Sequence, residues 1–234
     1  MKRNTLITTA SILLFPSMVT SADLAIAVVP ISEDVELSAT DTIDWVKLGR
    51  DTDASYRAKK KGANHIQAVT AGSRNVTDSS LKTFNMSWSD GAAPNTTGSN
   101  IKGSLEAKSP IEDDHTSPEL SFKVTGLNGT YQLRVYTSVF QSAYKFSASL
   151  GSAPPVSHTD SSRISKFNLY TVDFTTTKAN QTLIIDYVQT TDLGGSTHDN
   201  IGIAGISLTK IVPDSYSSAL LEISGASVIL QNSN

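Results

Sequence analysis

Between about residue 31 and residue 211 apolar and polar residues alternate with a period of two. The clearest run is Tyr131-Gln132-Leu133-Arg134-Val135-Tyr136, leading on to Val139-Phe140. Val35–Ser38, Ile43–Leu48, Ile66–Val69, Phe84–Trp88, Leu120–Val124, Tyr144–Leu150, Leu169–Phe174, Leu183–Val188 and Ile201–Leu208 follow the same rule. Such alternation predicts half-buried strands, each with one face on a core and one in water. Turn residues separate the runs at Ser89-Asp90-Gly91, Leu127-Asn128-Gly129, Gly151–Pro155 and Leu193-Gly194-Gly195. About ten such strands without a convincing helix predict an all-β chain, a single antiparallel β-sandwich of jelly-roll-like form. Lys47–Lys61, with Arg57-Ala58-Lys59-Lys60-Lys61, has no apolar stripe beside its charges and reads as a basic loop.

The two ends break the pattern. Lys2 and Arg3 precede the mostly apolar Leu6–Val19, and Thr20-Ser21-Ala22 supplies small residues, so residues 1–22 read as a secretory signal. A second cut is available after Ala27, with Ala25 at the small position two before it. The expected organisation is a signal peptide over 1–22, a linker over 23–30, the sandwich over 31–211 and a short apolar tail over 212–234. A last amphipathic helix or strand packed on the domain is the other reading of that tail.

Val212-Pro213, Ser217-Ser218-Ala219-Leu220-Leu221, Gly225 and Ile229-Leu230 give the tail a short motif, a Ser-rich spacer and an apolar stretch. In this it resembles the PEP-CTERM sorting tail of environmental Gram-negative bacteria. The chain departs from that pattern at Asp214-Ser215, at Glu222 within the apolar segment, and in having no basic residue among positions 231–234. The resemblance implies processing by an exosortase-type enzyme and delivery to the cell surface or exopolysaccharide matrix. Asp44-Trp45, Trp88-Ser89-Asp90-Gly91 with Asn95–Gly98, Leu133–Pro154, Gln181–Leu183 and Thr191–Gly195 are in turn similar to a secreted bacterial module with a galactose-binding-like jelly roll. That likeness implies a fold and no defined catalytic set.

Composition narrows the chemistry. The 234 residues carry 19 Lys+Arg against 22 Asp+Glu, a net charge of −3, so a basic nucleic-acid-binding face is not expected. There are no cysteines, which excludes disulfides, thiolate metal sites and thiol nucleophiles. No P-loop, GxSxG or HExxH pattern occurs. The membrane is expected to matter only through the targeting ends.

Candidate sites follow from residue type and strand position. Trp45 and Trp88 fall on a core face by alternation, although an exposed Trp88 would stack on a sugar ring. Tyr136, Phe140 and Tyr144, with Arg134 beside them, sit near a strand connection and are the better stacking candidates. No cofactor is established by the residues alone; the option they offer is a structural Ca²⁺ held by Glu33, Asp34 or Glu36 on the first strand together with Asp199 or Asn200 on the last. Glu112-Asp113-Asp114-His115 reads as a solvated acidic loop or a loose calcium site. His65, His115, His158 and His198 are far apart and read as surface histidines. Asp173 and Asp186 would be the first carboxylates to test in a hydrolase or lyase, which needs two facing one cleft. The favoured function is a non-enzymatic exported surface protein that binds extracellular polysaccharide. Its rivals are a structural surface or matrix subunit without a ligand and a small polysaccharide-active enzyme.

Overall fold

A computed structural model describes residues 24–49, 58–71, 76–79, 85–108, 119–178, 181–193 and 200–212, together with 222–223 and 226–227. Its strands in chain order are β1 (Leu24–Pro30), β2 (Val35–Glu36), β3 (Thr42–Lys47), β4 (Ala58–Lys59), β5 (Thr70–Ala71), β6 (Val76–Ser79), β7 (Met86–Trp88) and β8 (Gly98–Ile101). They continue with β9 (Ser104–Lys108), β10 (Glu119–Val124), β11 (Gly129–Phe140), β12 (Ser142–Leu150), β13 (Val156–Ser162), β14 (Lys166–Thr176), β15 (Leu183–Asp192) and β16 (Asn200–Ile211). The described residues contain no helix, and the chain is an all-β sandwich.

The first sheet runs β1-β14-β11-β16-β3-β4, with β9 also on β16 and β6 on β9. The second runs β13-β12-β15-β10-β5. Alternation decides which side chains lie between them. Tyr131, Leu133 and Val135 of β11 and Tyr170, Val172 and Phe174 of β14 point inward from the first sheet. Tyr144, Phe146 and Ala148 of β12 and Leu183, Ile185 and Tyr187 of β15 meet them from the second. Phe146 and Tyr170 stack across this interior with centroids 3.9 Å apart and planes 6° from parallel. Burial of so much aromatic and branched surface supplies the main stabilising term.

A third layer, a cap, covers half of the first sheet's outer face. It consists of β2, β7 and β8, where β2 and β7 pair in parallel. Val35, Leu37, Met86 and Trp88 of this cap pack with Trp45, Tyr136 and Ala204 in a second apolar cluster, with Leu169 and Phe167 at its margin. This explains why β16 is buried at every position from Ile201 to Leu208 instead of alternating: it has core on one face and cap on the other.

Two expectations change here. The segment expected as a linker over 23–30 is instead strand β1, paired in register with β14 from Leu24↔Phe174 to Pro30↔Asn168, because Leu24, Ile26 and Val28 pack against the core. A cut after Ala27 would remove four of its seven residues. Within the expected basic loop, Ala58 and Lys59 form β4 on β3, and Lys60 is paired with Asp90. The signal segment over 1–22 and positions 213–221 of the tail lie outside the described residues, while Glu222–Ile223 pairs with Ala226–Ser227.

Candidate functional site

The half of the first sheet's outer face that no described residue of the cap covers presents a continuous row of planar polar groups. Strand β11 points Tyr131, Leu133 and Val135 inward, which forces Gln132 and Arg134 outward. The register sets Asp173 of β14 opposite Gln132, and Ser207 of β16 opposite Arg134. Arg134 Nε donates to Gln132 Oε1 at 3.0 Å, and Gln132 Nε2 donates to Asp173 Oδ1 at 3.0 Å. The row thus crosses β11 and β14 with each group orienting the next. Thr171 and Thr209 flank it, and Thr130 and Thr175 share a hydrogen bond of 3.2 Å one row further out. On β1 the neighbours of Asp173 and Thr171 are the small, exposed Ala25 and Ala27, so among the described residues no bulky side chain of β1 stands directly beside Asp173 or Thr171.

Tyr136 closes the other side. It points outward like Arg134 but is buried beneath the cap, and its hydroxyl meets Ser207 and the Arg134 guanidinium. Burial pushes the phenol above its ordinary range while those two donors pull the other way, so it stays protonated at neutral pH. The cap therefore forms a wall, and the guanidinium lies at its foot.

Among the stacking candidates, only Arg134 is exposed. Trp88 is 4% exposed, Tyr136 5% and Tyr144 fully buried, so none of these rings offers a face to a ligand. Trp88 is taken up by the cap, its Nε1 donating to the Asn95 carbonyl at 3.0 Å. Phe140 is half-buried at the end of β11, opposite Asn200 and away from the Arg134 row. Gln132 was not among the candidates, although its position two residues before Arg134 on one strand places both side chains on the same face.

Tyr144 belongs to a polar network inside the sandwich. Its hydroxyl receives a hydrogen bond from Asn168 Nδ2 at 2.8 Å and donates to Asp160 Oδ2 at 3.2 Å. Tyr170 meets His158 Nδ1 at 3.1 Å, and Tyr187 donates to the Ser138 carbonyl at 3.2 Å. Burial pushes Tyr144 up to about 12 and raises Tyr170 and Tyr187 as well. Since the folded state favours the neutral phenols, their contribution to stability is complete below the ordinary tyrosine range and is lost as pH rises through the raised values. In an alkaline titration followed at 295 nm, these three phenols are expected to ionise only together with loss of the far-ultraviolet β signal. Their smooth ionisation in a folded chain would contradict this burial.

The other candidate sites do not assemble as expected. Strand β2, which carries Glu36, pairs with β7, whereas β16 is flanked by β11 on one edge and by β3 and β9 on the other. The side-by-side arrangement that would bring Glu33, Asp34 or Glu36 to Asn200 is not formed. Asn200 faces Phe140 and Lys108, Glu36 Oε1 accepts from the Ser38 backbone at 3.0 Å, and Asp34 Oδ1 accepts from Asn85 Nδ2 at 2.9 Å. Asp199, the run Glu112–His115 and His198 lie outside the described residues. His65 and His158 are half-buried and bonded, to the Thr125 carbonyl and to Tyr170, rather than free on the surface.

Asp173 and Asp186 cannot share a cleft. Asp173 lies between the inward Val172 and Phe174 on the first sheet, and Asp186 between the inward Ile185 and Tyr187 on the second. The two carboxylates therefore face solvent on opposite sides of the sandwich, and Asp186 is bonded to Ser121 Oγ at 2.7 Å.

No family model and no curated protein matches the chain. Several solved structures are similar to parts of it. The enzymatically active domain of tailspike protein 4 of bacteriophage CBA120 is 9% identical over 63% of this chain and 20% of its own, with a TM-score of 0.41. TmCBM61, in complex with β-1,4-galactotriose, is 16% identical over 61% of this chain and 87% of its own, at 0.39. The CBM22-1 xylan-binding domain of Paenibacillus barcinonensis Xyn10C is 11% identical over 75% of this chain and 99% of its own, at 0.37. The chain spans about a fifth of the length of the tailspike domain. With TM-scores below 0.5, these likenesses say nothing about a ligand for this chain.

Proposed function

We propose that the chain is a non-enzymatic, exported β-sandwich protein that binds extracellular polysaccharide across the uncapped half of its first sheet. The observation that carries this reading is the row Arg134–Gln132–Asp173, three mutually oriented planar groups on one open sheet face. A polysaccharide offers many hydroxyls that both donate and accept. Charged groups with fixed geometry bind such hydroxyls without first losing side-chain entropy. Arg134 and Gln132 supply donors, Asp173 supplies acceptors, and the flanking threonines and Ser207 can do either. A rigid floor of strands positions them better than a loop would.

The signal-like start and the sorting-like tail support delivery to the cell surface or matrix of a Gram-negative bacterium, with an exosortase-type enzyme as the processing partner. Affinity electrophoresis of the domain against a panel of soluble polysaccharides tests the binding. At least one polymer is expected to retard it. Arg134→Ala and Gln132→Ala are each expected to weaken that retardation about 10- to 100-fold, the equivalent of about 1.5–3 kcal/mol for hydrogen bonds to a charged group. Because both side chains point to solvent, melting temperatures are expected to change little. Retention of full binding by both variants would remove the assignment of this face.

A further inference from the structure

We infer that the polysaccharide is acidic and that the Arg134 guanidinium takes its carboxylate. This inference rests on the binding face proposed above and names the class of ligand. Arg134 is the one cation of the uncapped row, and its contacts within the protein are to neutral groups, Gln132 Oε1 and the Tyr136 hydroxyl. The carboxylate of the row, Asp173, is bridged to Arg134 by Gln132, whose amide nitrogen donates to the Asp173 oxygen while its oxygen accepts the Arg134 Nε proton. Asp173 and Arg134 are diagonal neighbours across β11 and β14, a spacing that a long side chain can bridge. A direct ion pair would form there if Gln132 did not stand between them. The neutral bridge keeps the guanidinium's charge and its outer N–H fork available.

A guanidinium pinned through Nε and held against the Tyr136 hydroxyl presents its remaining N–H groups in a fixed plane. That is the geometry for bidentate capture of a carboxylate, and a lysine cannot reproduce it. A uronate places a carboxylate on a ring whose hydroxyls lie a few ångströms away, where Asp173 can accept from them. Repulsion between Asp173 and the uronate acts through water and is weaker than the direct charged contact at Arg134.

The probes are polygalacturonate, its methyl-esterified form and a neutral galactan, each titrated against the domain at low and high NaCl. Polygalacturonate is expected to bind at least tenfold more tightly than its methyl ester, and salt is expected to erode that difference. Arg134→Gln is expected to abolish the preference, while Arg134→Lys keeps part of it. Asp173→Asn keeps a side-chain oxygen to accept from Gln132 and from the sugar while removing the negative charge of the row, and is expected to raise affinity for polygalacturonate by about two- to fivefold, an effect that a purely structural role for Asp173 would not produce. Equal or tighter binding of the neutral polymers, lost in the Arg134 variants, would overturn the acidic class and leave the binding face standing. Binding of none of the three, nor of any polymer in the wider panel, would overturn the face as well.

Discussion

Replacing Lys47 with methionine is expected to cost on the order of 3–5 kcal/mol, although methionine has nearly the same length and is the more hydrophobic side chain. Lys47 is fully buried on β3. Strands β3 and β9 share one edge of β16: β9 pairs with Asn200–Ile203 and β3 with Gly205–Thr209. At the junction between them the ladder is interrupted, and the Lys47 ammonium occupies the gap. Its Nζ donates to the carbonyls of Leu48 at 2.5 Å, Gly103 at 2.6 Å and Ala204 at 3.1 Å, thereby tying the turn before β9 to the β3–β16 edge, where Leu48 N–H also donates to the Ala204 carbonyl at 3.0 Å. A methionine fills the volume but supplies no donor: the Ala204 carbonyl keeps the Leu48 N–H, whereas the Leu48 and Gly103 carbonyls lose a charged donor, worth about 1.5–3 kcal/mol each. Urea unfolding should show the loss as a lower midpoint with a similar slope. An unchanged midpoint would mean that the ammonium is not what satisfies those carbonyls.

Trp88→Ala is expected to cost about 3–5 kcal/mol, and chiefly to loosen the cap. Trp88 packs against Trp45 with centroids 5.6 Å apart. A Cβ on Gly98 would lie 2.4 Å from the Trp88 ring, so the strand opposite has yielded its side chain to make room. Trp45 Nε1 donates to Asp90 Oδ1 at 2.7 Å, and Asp90 also pairs with Lys60, so the Trp-Ser-Asp-Gly turn is tied to the sheet beneath it. The cap's apolar cluster is separate from the one between the sheets, so its loss need not unfold the sandwich. In Trp88→Ala the remaining tryptophan, Trp45, should report cap unfolding at lower urea than the far-ultraviolet signal of the sheets. A single transition by both probes, at the wild-type midpoint, would contradict a separable cap.

The period-two pattern carried most of the fold because each strand of the main sandwich has one face on the shared core. It failed where that condition fails. β16 is buried on both faces, so its continuous Ile201–Leu208 run specifies a strand without saying what covers its outer side. β1 reads as unstructured because it follows an apolar leader, and only its pairing with β14 shows it to be part of the sheet. Aromatic residues near a strand connection suggest stacking on sugar rings, yet Tyr136 lies under the cap and Tyr144 points inward, which depends on cross-strand partners distant in sequence. The Asp44-Trp45 pair is now explained by packing and bonding: Asp44 Oδ2 accepts from the backbone of His65 at 2.7 Å and of Ile66 at 2.8 Å, while Trp45 anchors the cap. Arg134 was legible only as a polar neighbour of the aromatic candidates, and its exposure comes from the inward turn of Tyr131, Leu133 and Val135. Its link to Asp173 was not, because register across β14 fixes it and the strand's own alternation does not.

Isothermal titration of the wild-type domain and Arg134→Gln with polygalacturonate, in parallel with circular dichroism of both proteins, tests the assignment of the open face most directly. The prediction is saturable binding by the wild type, a loss of about tenfold or more in the variant, and superimposable β spectra. Identical affinities in two equally folded proteins would contradict it.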